Sequence, residues 1–569
     1  MRFEDLFCDV SYIKLRLCER YSSTKSPTKD VSTKDIKDIK DISVKELNNK
    51  EIKDVCQDSR KVISGSLFFA LQGHKADGRK YIDDAVRNGA VAVVIDEVTN
   101  DTNINVPVPV IAVSNPRQVL AIVSKRFFCK DVDSMPVMIG VTGTNGKTSV
   151  VWLLSRALSK LSAPSVYIGT LGMMLFDSDL NVLLYKDVGA TTPDPVSLWD
   201  FIGQACALGA KFVVMEASSH ALVQDRVFGI DWSVAAFTNL TRDHLDYHGD
   251  LNEYARAKKL LFQEGLKDSQ AEKKFAVINA NDPVGKDICD WVSKSGVDIE
   301  LLRFRSDTFL NSSDSLMAFR DVYINSYKAD LSGLKVCVGV CFGGCAKTCD
   351  LAFEVSSTLV GAYNAENLIT VVSVLLALGY DSSCISAVLK NTGCVPGRLE
   401  RVECNVSNKE LLNNLPTVFV DYAHTPDALC KAIGSLREIT NGKIITVFGC
   451  GGNRDKGKRP LMGEAVAKFS DIGVVTTDNP RCEKPEDIIN DVLPGLRRVG
   501  DNSKFLYYVE VDRSLAIRLA IGLAKSGDVV LVAGKGHENY QEIDNVKHPY
   551  SDVIKSKEEL TFLLNQFAD

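Results

Sequence analysis

The chain has no uninterrupted apolar run near the roughly 20 residues that span a bilayer, and its opening stretch MRFEDLFCDVSYIKLRLCER is too charged for a secretory signal. The expected location is the cytoplasm, with no membrane partner. A surplus of positive charge is also missing: 67 Lys and Arg stand against 73 Asp and Glu, a net charge of −6, and the basic residues are scattered. Nucleic acid is therefore not an expected partner. Among the 16 cysteines no Cys-x-x-Cys knuckle of a zinc site occurs. Cys337, Cys341, Cys345 and Cys349 recur every four residues, and in an extended segment that spacing puts all four on one sheet face. They are read as packed thiols, which a reducing compartment leaves unoxidised.

A length of 569 residues exceeds one hydrophobic core and predicts about three domains. Residues 22–50, with the near-repeat KDIKDIKDI, read as a solvated, mobile insertion. Beyond it, strand and helix signals alternate, as in an α/β fold with mostly parallel sheets. The expected domains are 1–135, 136–395 and 396–569. Residues 298–353 break the rhythm and read as mostly antiparallel strands in a small side sheet. A helix over 365–378 follows, and VPGRLERV marks the hinge into the last domain.

The segment MIGVTGTNGKTSVV carries the most chemistry. An apolar strand turns through Gly143, Thr144, Asn145 and Gly146 into a helix opened by Lys147, Thr148 and Ser149. Backbone N–H groups and a helix N-terminus then converge on phosphate oxygens, Lys147 adds a full charge, and Thr148 is placed to hold Mg²⁺. Val141 stands where the longer form G-x-x-x-x-G-K-[ST] has glycine, so this is a shortened variant. Glu216 emerges at a strand end where a carboxylate would meet the same metal, and His244 lies in a second strand-end loop. Lys258, one turn after Tyr254, reads on composition alone as a solvent-facing helix lysine. In the last domain Asp421 and His424 follow a strand, and Pro426 suits a helix's first turn. The loop FGCGGNRDKGKRP, with Arg454, Lys456, Lys458 and Arg459 as its cations, is expected to meet an anion. Arg481 and Glu538 end two further strands and together suit a zwitterionic amino acid.

The ordered series GTNGKT, EASSHAL, TNLTRDHLDYHG, GAYNAEN, VPGRLE, DYAHTPDAL, FGCGGNRDKGKRP, DNPR and GKGHENYQ closely resembles the Mur ligase family, and within it the MurE type, from Asp58 onward. The resemblance implies a small α/β UDP-binding domain, a central P-loop ATPase domain and a Rossmann-like C-terminal domain. It implies an ATP-dependent amide ligase that adds meso-diaminopimelate to the D-Glu γ-carboxylate of UDP-MurNAc-L-Ala-D-Glu through an acyl phosphate, with Mg²⁺. Lys258 matches a carbamylated lysine, a metal ligand beside Glu216 and His244. Asn364 and Asn367 match residues near adenine, and Arg398 and Asp421 match groups that reach ATP. Ser59, His74, Asp77 and Gly78 fall in the nucleotide-sugar region, and Thr191, Thr192, Ser218, Gln224 and Arg226 match contacts to the muramoyl dipeptide. Arg454, the tetrapeptide Asp478, Asn479, Pro480 and Arg481, Gly534 and Glu538 match the diaminopimelate site. The insertion at 22–50 and the cysteine-rich stretch depart from the family pattern. A monomer is expected. Alternatives are the same ligase using L-lysine or another diamine, a MurF or folylpolyglutamate synthetase type, and a P-loop switch without an amino-acid pocket.

Overall fold

The computed structural model describes residues 1–8, 13–16, 51–73, 76–96, 106–306, 320–342, 350–404, 414–500 and 504–568. The expected insertion at 22–50, together with His74, Cys345 and Cys349, lies outside them. Packing divides the chain into two units, one of Met1–Thr144, Leu158–Ala276 and Ser295–Ile299, the other of Asn145–Ala157, Val277–Lys294 and Glu300–Asp569.

The first unit holds a sheet of β1 (Ile13–Arg16), β2 (Asp54–Cys56), β3 (Ser66–Phe69), β4 (Ala92–Asp96) and β5 (Val110–Val113), in the order β1-β5-β4-β3-β2. Only β1 runs antiparallel. The runs SLFF and VIAV are buried at every position, as parallel strands covered on both faces require. The same unit holds β6 (Val137–Thr142), β7 (Ser165–Gly169), β8 (Gly172–Phe176), β9 (Val182–Lys186), β10 (Phe212–Glu216) and β11 (Trp232–Phe237), ordered β11-β6-β10-β7-β8-β9. The four strands from β11 to β7 are parallel, so the loops after β6, β10 and β11 leave the sheet at one edge. The next strand, β12 (Phe275–Asn279), carries the chain into the second unit.

In the second unit come β13 (Glu300–Arg305), β14 (Arg320–Asp330), β15 (Gly333–Phe342) and β16 (Leu351–Ser357). The β14–β15 and β15–β16 pairings are antiparallel, as expected for this stretch, and β13–β14 is parallel; the expected small side sheet is corrected, because the four strands continue from β12 in the order β16-β15-β14-β13-β12 instead of forming a sheet of their own. Arg303 is tolerated in a strand because Asp321, also buried, meets it with two bonds of 2.7 and 2.8 Å. Cys337 and Cys341 share a face of β15, the first half-buried and the second buried, and every described cysteine is a free thiol. The helix Tyr363–Ala377 is buried nearly all round, as its apolar composition dictates.

The last sheet comprises β17 (Glu400–Arg401), β18 (Thr417–Asp421), β19 (Ile444–Phe448), β20 (Ile472–Val475), β21 (Leu506–Val509) and β22 (Val529–Ala533), in the order β17-β18-β22-β19-β20-β21. All but β17 are parallel, so the loops after Asp421, Phe448, Val475 and Ala533 share one edge. Thr425 caps the helix Pro426–Arg437, with Pro426 in its first turn as expected. A hairpin of β23 (Tyr540–Ile543) and β24 (Val546–Pro549) follows. Among the described residues no helix is long and apolar enough to cross a membrane.

Arg459 corrects the expectation that all four cations after β19 serve a bound anion: its guanidinium is taken up by the protein's own carboxylates. It is fully buried, with Glu483 at 2.9 and 3.0 Å and Asp491 at 2.8 Å, and its Nη2 donates to the Gly451 carbonyl at 3.3 Å. The guanidinium thus ties the loop after β19 to the loop after β20. Its bonds, with that from the Asn453 N–H, hold the Glu483 carboxyl down at about 2. A depressed carboxyl stabilises the fold above its unfolded value of 4.5 and stops doing so as pH falls through about 2. Glu483→Gln should therefore melt below wild type at pH 7, and thermal melts from pH 7 to pH 2 should show the gap closing in the acid range. A gap constant down to pH 2 would contradict this linkage.

Candidate active site

The phosphate loop begins where β6 ends. Gly143 has φ +147°, and a Cβ there would come within 1.9 Å of the Thr238 hydroxyl; Gly146 has φ +85°, and a Cβ would lie 2.2 Å from Asn367 Oδ1. Both positions therefore exclude a side chain. The Thr144 N–H donates to the Asn239 carbonyl at 2.8 Å, which seats the loop on the segment after β11. The helix Lys147–Leu161 starts directly behind it.

Lys258 is not a solvated helix lysine. It is 1 % exposed, its Nζ donates to the Gly143 carbonyl at 2.7 Å, and it lies 4.3 Å from the centre of the Tyr254 ring. Its helix, Leu251–Leu260, is capped by Asp250 and passes into a π-helical turn, a distortion frequent at functional positions. Glu216, also 1 % exposed, takes the Tyr167 hydroxyl at 3.2 Å and the Thr170 N–H at 2.9 Å on Oε1, which leaves Oε2 as the oxygen able to meet a cation. His244 adopts φ +51° and is half-exposed. Its ring lies 5.1 Å from that of His220, and the His248 ring is 5.5 Å from His220. Burial, then the charges of His244 and His248, push His220 down to about 4, so it is neutral at pH 7. His220 and His248 went unnoticed in the sequence, although both sit inside quoted motifs.

Among the described residues no three His, Cys, Asp or Glu side chains converge as a ready metal cage. Mg²⁺ does not need one, because it takes one or two carboxylates and completes its shell with water and substrate phosphate. Glu216 Oε2 fits that donor set.

The first unit also contains a cavity of about 1000 Å³ lined by Ser59, Gly78, Arg117, Pro193, Gln224 and Arg226 among others. Asp77 caps the turn Gly78–Tyr81 and pairs with Arg79, which holds its carboxyl below the usual range. Arg226 donates to Gln224 Oε1 at 2.6 and 3.0 Å and to the Thr192 carbonyl at 3.0 Å, while Gln224 donates to the Tyr247 hydroxyl. Thr192 is buried; its hydroxyl lies 2.7 Å from the Glu216 carbonyl and 3.0 Å from the Ser218 hydroxyl. The Thr191 hydroxyl lies 3.3 Å from that of Thr170. These bonds join the cavity wall to the end of β10.

In the second unit Asn367 donates to Asn364 and Asn364 to the Val360 carbonyl, each at 2.7 Å. Arg398 stacks over the Tyr422 ring at 5.3 Å. Asp421 accepts the Leu399 and Ala423 N–H groups at 2.7 and 2.8 Å; burial raises its carboxyl, against the opposing charge of Arg398.

The loops after β20 and β22 build the densest polar cluster. Asn479 Nδ2 donates to Glu538 Oε2 at 2.9 Å. Lys535, fully buried, donates to Asn479 at 2.8 Å, Glu538 at 3.2 Å and Asp478 at 3.3 Å. Arg481 has φ +53°, and its Nε donates to Glu542 Oε2 at 2.9 Å. Pro480 packs under Gly452, where a Cβ would meet the Pro480 carbonyl at 1.9 Å. Arg454 is exposed beside Gly451 and has no partner among the described residues. Behind the cluster, Arg513 and Asp552 are both fully buried and joined by two bonds of 2.7 Å, and Arg513 also donates to the Ala533 carbonyl at 2.9 Å and the Thr477 carbonyl at 3.4 Å. Lys535, Arg513 and Glu542 escaped the sequence reading. Only Lys535, between two glycines at a strand end, carried a local signal.

An α/β chain with a glycine-rich phosphate loop after one parallel strand and a charge-paired polar cluster at the carboxyl edge of its last sheet has the parts of a ligase that couples nucleotide to amide formation. This chain belongs to the Mur ligase family: residues 51–128 match the model described as Mur ligase family, catalytic domain, residues 141–375 the Mur ligase middle domain, and residues 397–536 the Mur ligase, glutamate ligase domain. It is 39% identical over 514 residues to the UDP-N-acetylmuramoyl-L-alanyl-D-glutamate--2,6-diaminopimelate ligase of Chromobacterium violaceum, covering 90% of this chain and 94% of that one. The protein of the same name from Aquifex aeolicus is 38% identical over 516 residues, with the same coverage. A solved structure of such a ligase superposes with a TM-score of 0.63 at 30% identity, over 91% of this chain and 96% of the other. A Mycobacterium tuberculosis folylpolyglutamate synthase complexed with ADP, at 18% identity and a TM-score of 0.53 over 73% of this chain and 91% of the other, shares the fold alone.

Removing Arg513 would leave Asp552 charged and unpaired in the core, which costs about 3–5 kcal/mol. Arg513→Met should lose that much in urea unfolding, and adding Asp552→Leu should recover most of it. A near-neutral single variant would refute the brace.

Proposed function

We propose that this chain is the ATP-dependent ligase that joins meso-diaminopimelate to the D-Glu γ-carboxylate of UDP-MurNAc-L-Ala-D-Glu in peptidoglycan precursor synthesis. The observation that carries the reading is the cluster of Asp478, Asn479, Lys535 and Glu538 at the carboxyl edge of the last sheet, with Arg481 on the same loop as Asp478 and Asn479, a set that offers charges of both signs to an amino acid bearing two ammoniums and two carboxylates. An L-lysine ligase would have no use for a second guanidinium beside Arg454. The relatives named as diaminopimelate ligases support the same choice.

A carboxylate oxygen is a poor leaving group, so the γ-carboxylate attacks the γ-phosphorus of ATP, releasing ADP and forming an acyl phosphate. The substrate amine then attacks the acyl carbon and phosphate departs. Gly143, Thr144, Asn145, Gly146, Lys147, Thr148 and Ser149 cradle the transferring phosphoryl group, Lys147 meeting its charge. Asn364 and Asn367 lie with the adenine, and Arg398 and Asp421 complete the nucleotide contacts. Thr148, Glu216, His244 and a carbamate on Lys258 would hold Mg²⁺, which when bound neutralises phosphate charge. Ser59, His74, Asp77 and Gly78 bind the uridine end, and Thr191, Thr192, Ser218, Gln224 and Arg226 the dipeptide end. Arg454, Asp478, Asn479, Pro480, Arg481, Gly534 and Glu538 bind diaminopimelate. The domain limits 1–135, 136–395 and 396–569, a monomeric state and a cytoplasmic location belong to the same proposal.

The direct test is a ligase assay with UDP-MurNAc-L-Ala-D-Glu, ATP and Mg²⁺ in which only the amino acid varies. Product with L-lysine but not with meso-diaminopimelate would overturn the substrate assignment. Lys147→Ala should abolish nearly all ligation while circular dichroism stays unchanged, because it removes a phosphate contact rather than core packing. Arg481→Ala should lose about 2–4 kcal/mol in kcat/KM for meso-diaminopimelate, with little change in the KM for ATP.

A further inference from the structure

The helix Pro116–Phe128 leads from β5 toward β6 and packs two ways. On one face Val119, Leu120 and Val123 are buried in a common apolar core with Phe69, Val94 and Ile111 of the first sheet. From the other, Gln118 Nε2 donates to Asp225 Oδ1 at 3.1 Å, and Lys125 Nζ donates to Asp231 Oδ2 at 2.6 Å and the Gly229 carbonyl at 3.1 Å. Asn115, the helix cap, accepts the Arg117 and Gln118 N–H groups on Oδ1 and donates from Nδ2 to Asp225 Oδ2 at 3.3 Å. One turn of this helix thus takes both oxygens of Asp225. Asp225 itself adopts φ +54° between Gln224 and Arg226. Glycine meets that conformation at less cost, so what aspartate adds there is its carboxylate.

We propose that Asp225 is a positioning residue for the nucleotide-sugar dipeptide: its carboxylate clasps the Gln224–Arg226 wall of the cavity to the helix that rides on the first sheet, and so fixes the distance between the two ends of the substrate site. The inference rests on the ligase reading above, in which Ser59, Asp77 and Gly78 meet the uridine end and Gln224 and Arg226 the dipeptide end. The same helix carries Arg117, which lines the cavity and donates from Nη2 to the Gln72 carbonyl in the loop after β3. A ligand long enough to touch both ends gains from a fixed separation, because its second contact then forms without a further search. A ligand confined to one end gains nothing from it.

The experiment measures the dissociation constants of UDP-MurNAc-L-Ala-D-Glu and of UDP alone by calorimetry, with KM for each substrate alongside. Asp225→Gly keeps the left-handed backbone and deletes both bonds. It should weaken the whole substrate about tenfold and UDP by at most about twofold. The KM values for ATP and meso-diaminopimelate, and kcat at saturation, should stay within about twofold. Asp225→Asn should remain near wild type, since Gln118 can turn its amide over and keep both bonds. Gln118→Leu, which cuts one bond from the helix side, should weaken the whole substrate about threefold. Equal weakening of UDP and the whole substrate, a joint rise of all three KM values, or an unchanged whole-substrate affinity would each overturn the proposal. So would a silent Gln118→Leu, which would trace the Asp225→Gly loss to a looser loop. Wild type that neither binds nor ligates UDP-MurNAc-L-Ala-D-Glu would instead overturn the ligase reading itself, whereas normal ligation with an unresponsive Asp225 leaves that reading standing.

Discussion

Cations placed where water cannot reach them hold the carboxyl edge of the last sheet together. Arg513 grips Asp552 and in the same geometry takes carbonyls at the ends of β20 and β22. Lys535 gathers Asp478, Asn479 and Glu538, and Arg459 joins the loops after β19 and β20 through Glu483. Desolvating three charges is expensive, and apolar replacements of similar volume would often be as stable. What these cations provide is placement: loops with few apolar side chains acquire fixed positions because leaving any member unpaired is prohibitive.

The same economy operates at the nucleotide loop by another route. There the fixed element is the backbone, and the two glycines are required because oxygen atoms of Thr238 and Asn367 fill the space where a side chain would begin. Lys258 is drawn under the loop by the Gly143 carbonyl and an aromatic face. A lysine held this way is positioned by its environment and adds nothing to solubility.

The sequence was most legible where function and local structure coincide. The strand-turn-helix around Gly143, the capped helix at Pro426 and the polar loops after β18, β19, β20 and β22 each announce themselves within a dozen residues. Arg513 and Asp552 lie 39 residues apart, and Arg481 and Glu542 lie 61 apart, with nothing in either local pattern to predict the meeting. Arg459 misled for the opposite reason: its neighbours look like a solvated basic loop, and only the arrival of Glu483 and Asp491 turns it inward. Lys258 was ambiguous on its own helix because the surface that buries it comes from a loop more than 100 residues earlier.

The left-handed backbone at Arg481 narrows the set of residues that could replace it over evolutionary time. A β-branched replacement such as valine, isoleucine or threonine would inherit a strained main chain already locked by two hydrogen bonds to the hairpin. Glycine and asparagine would take up that conformation with the least strain. Arginine itself already bears the left-handed cost, so other unbranched residues would bear no more, and the exclusion falls on β-branched side chains alone.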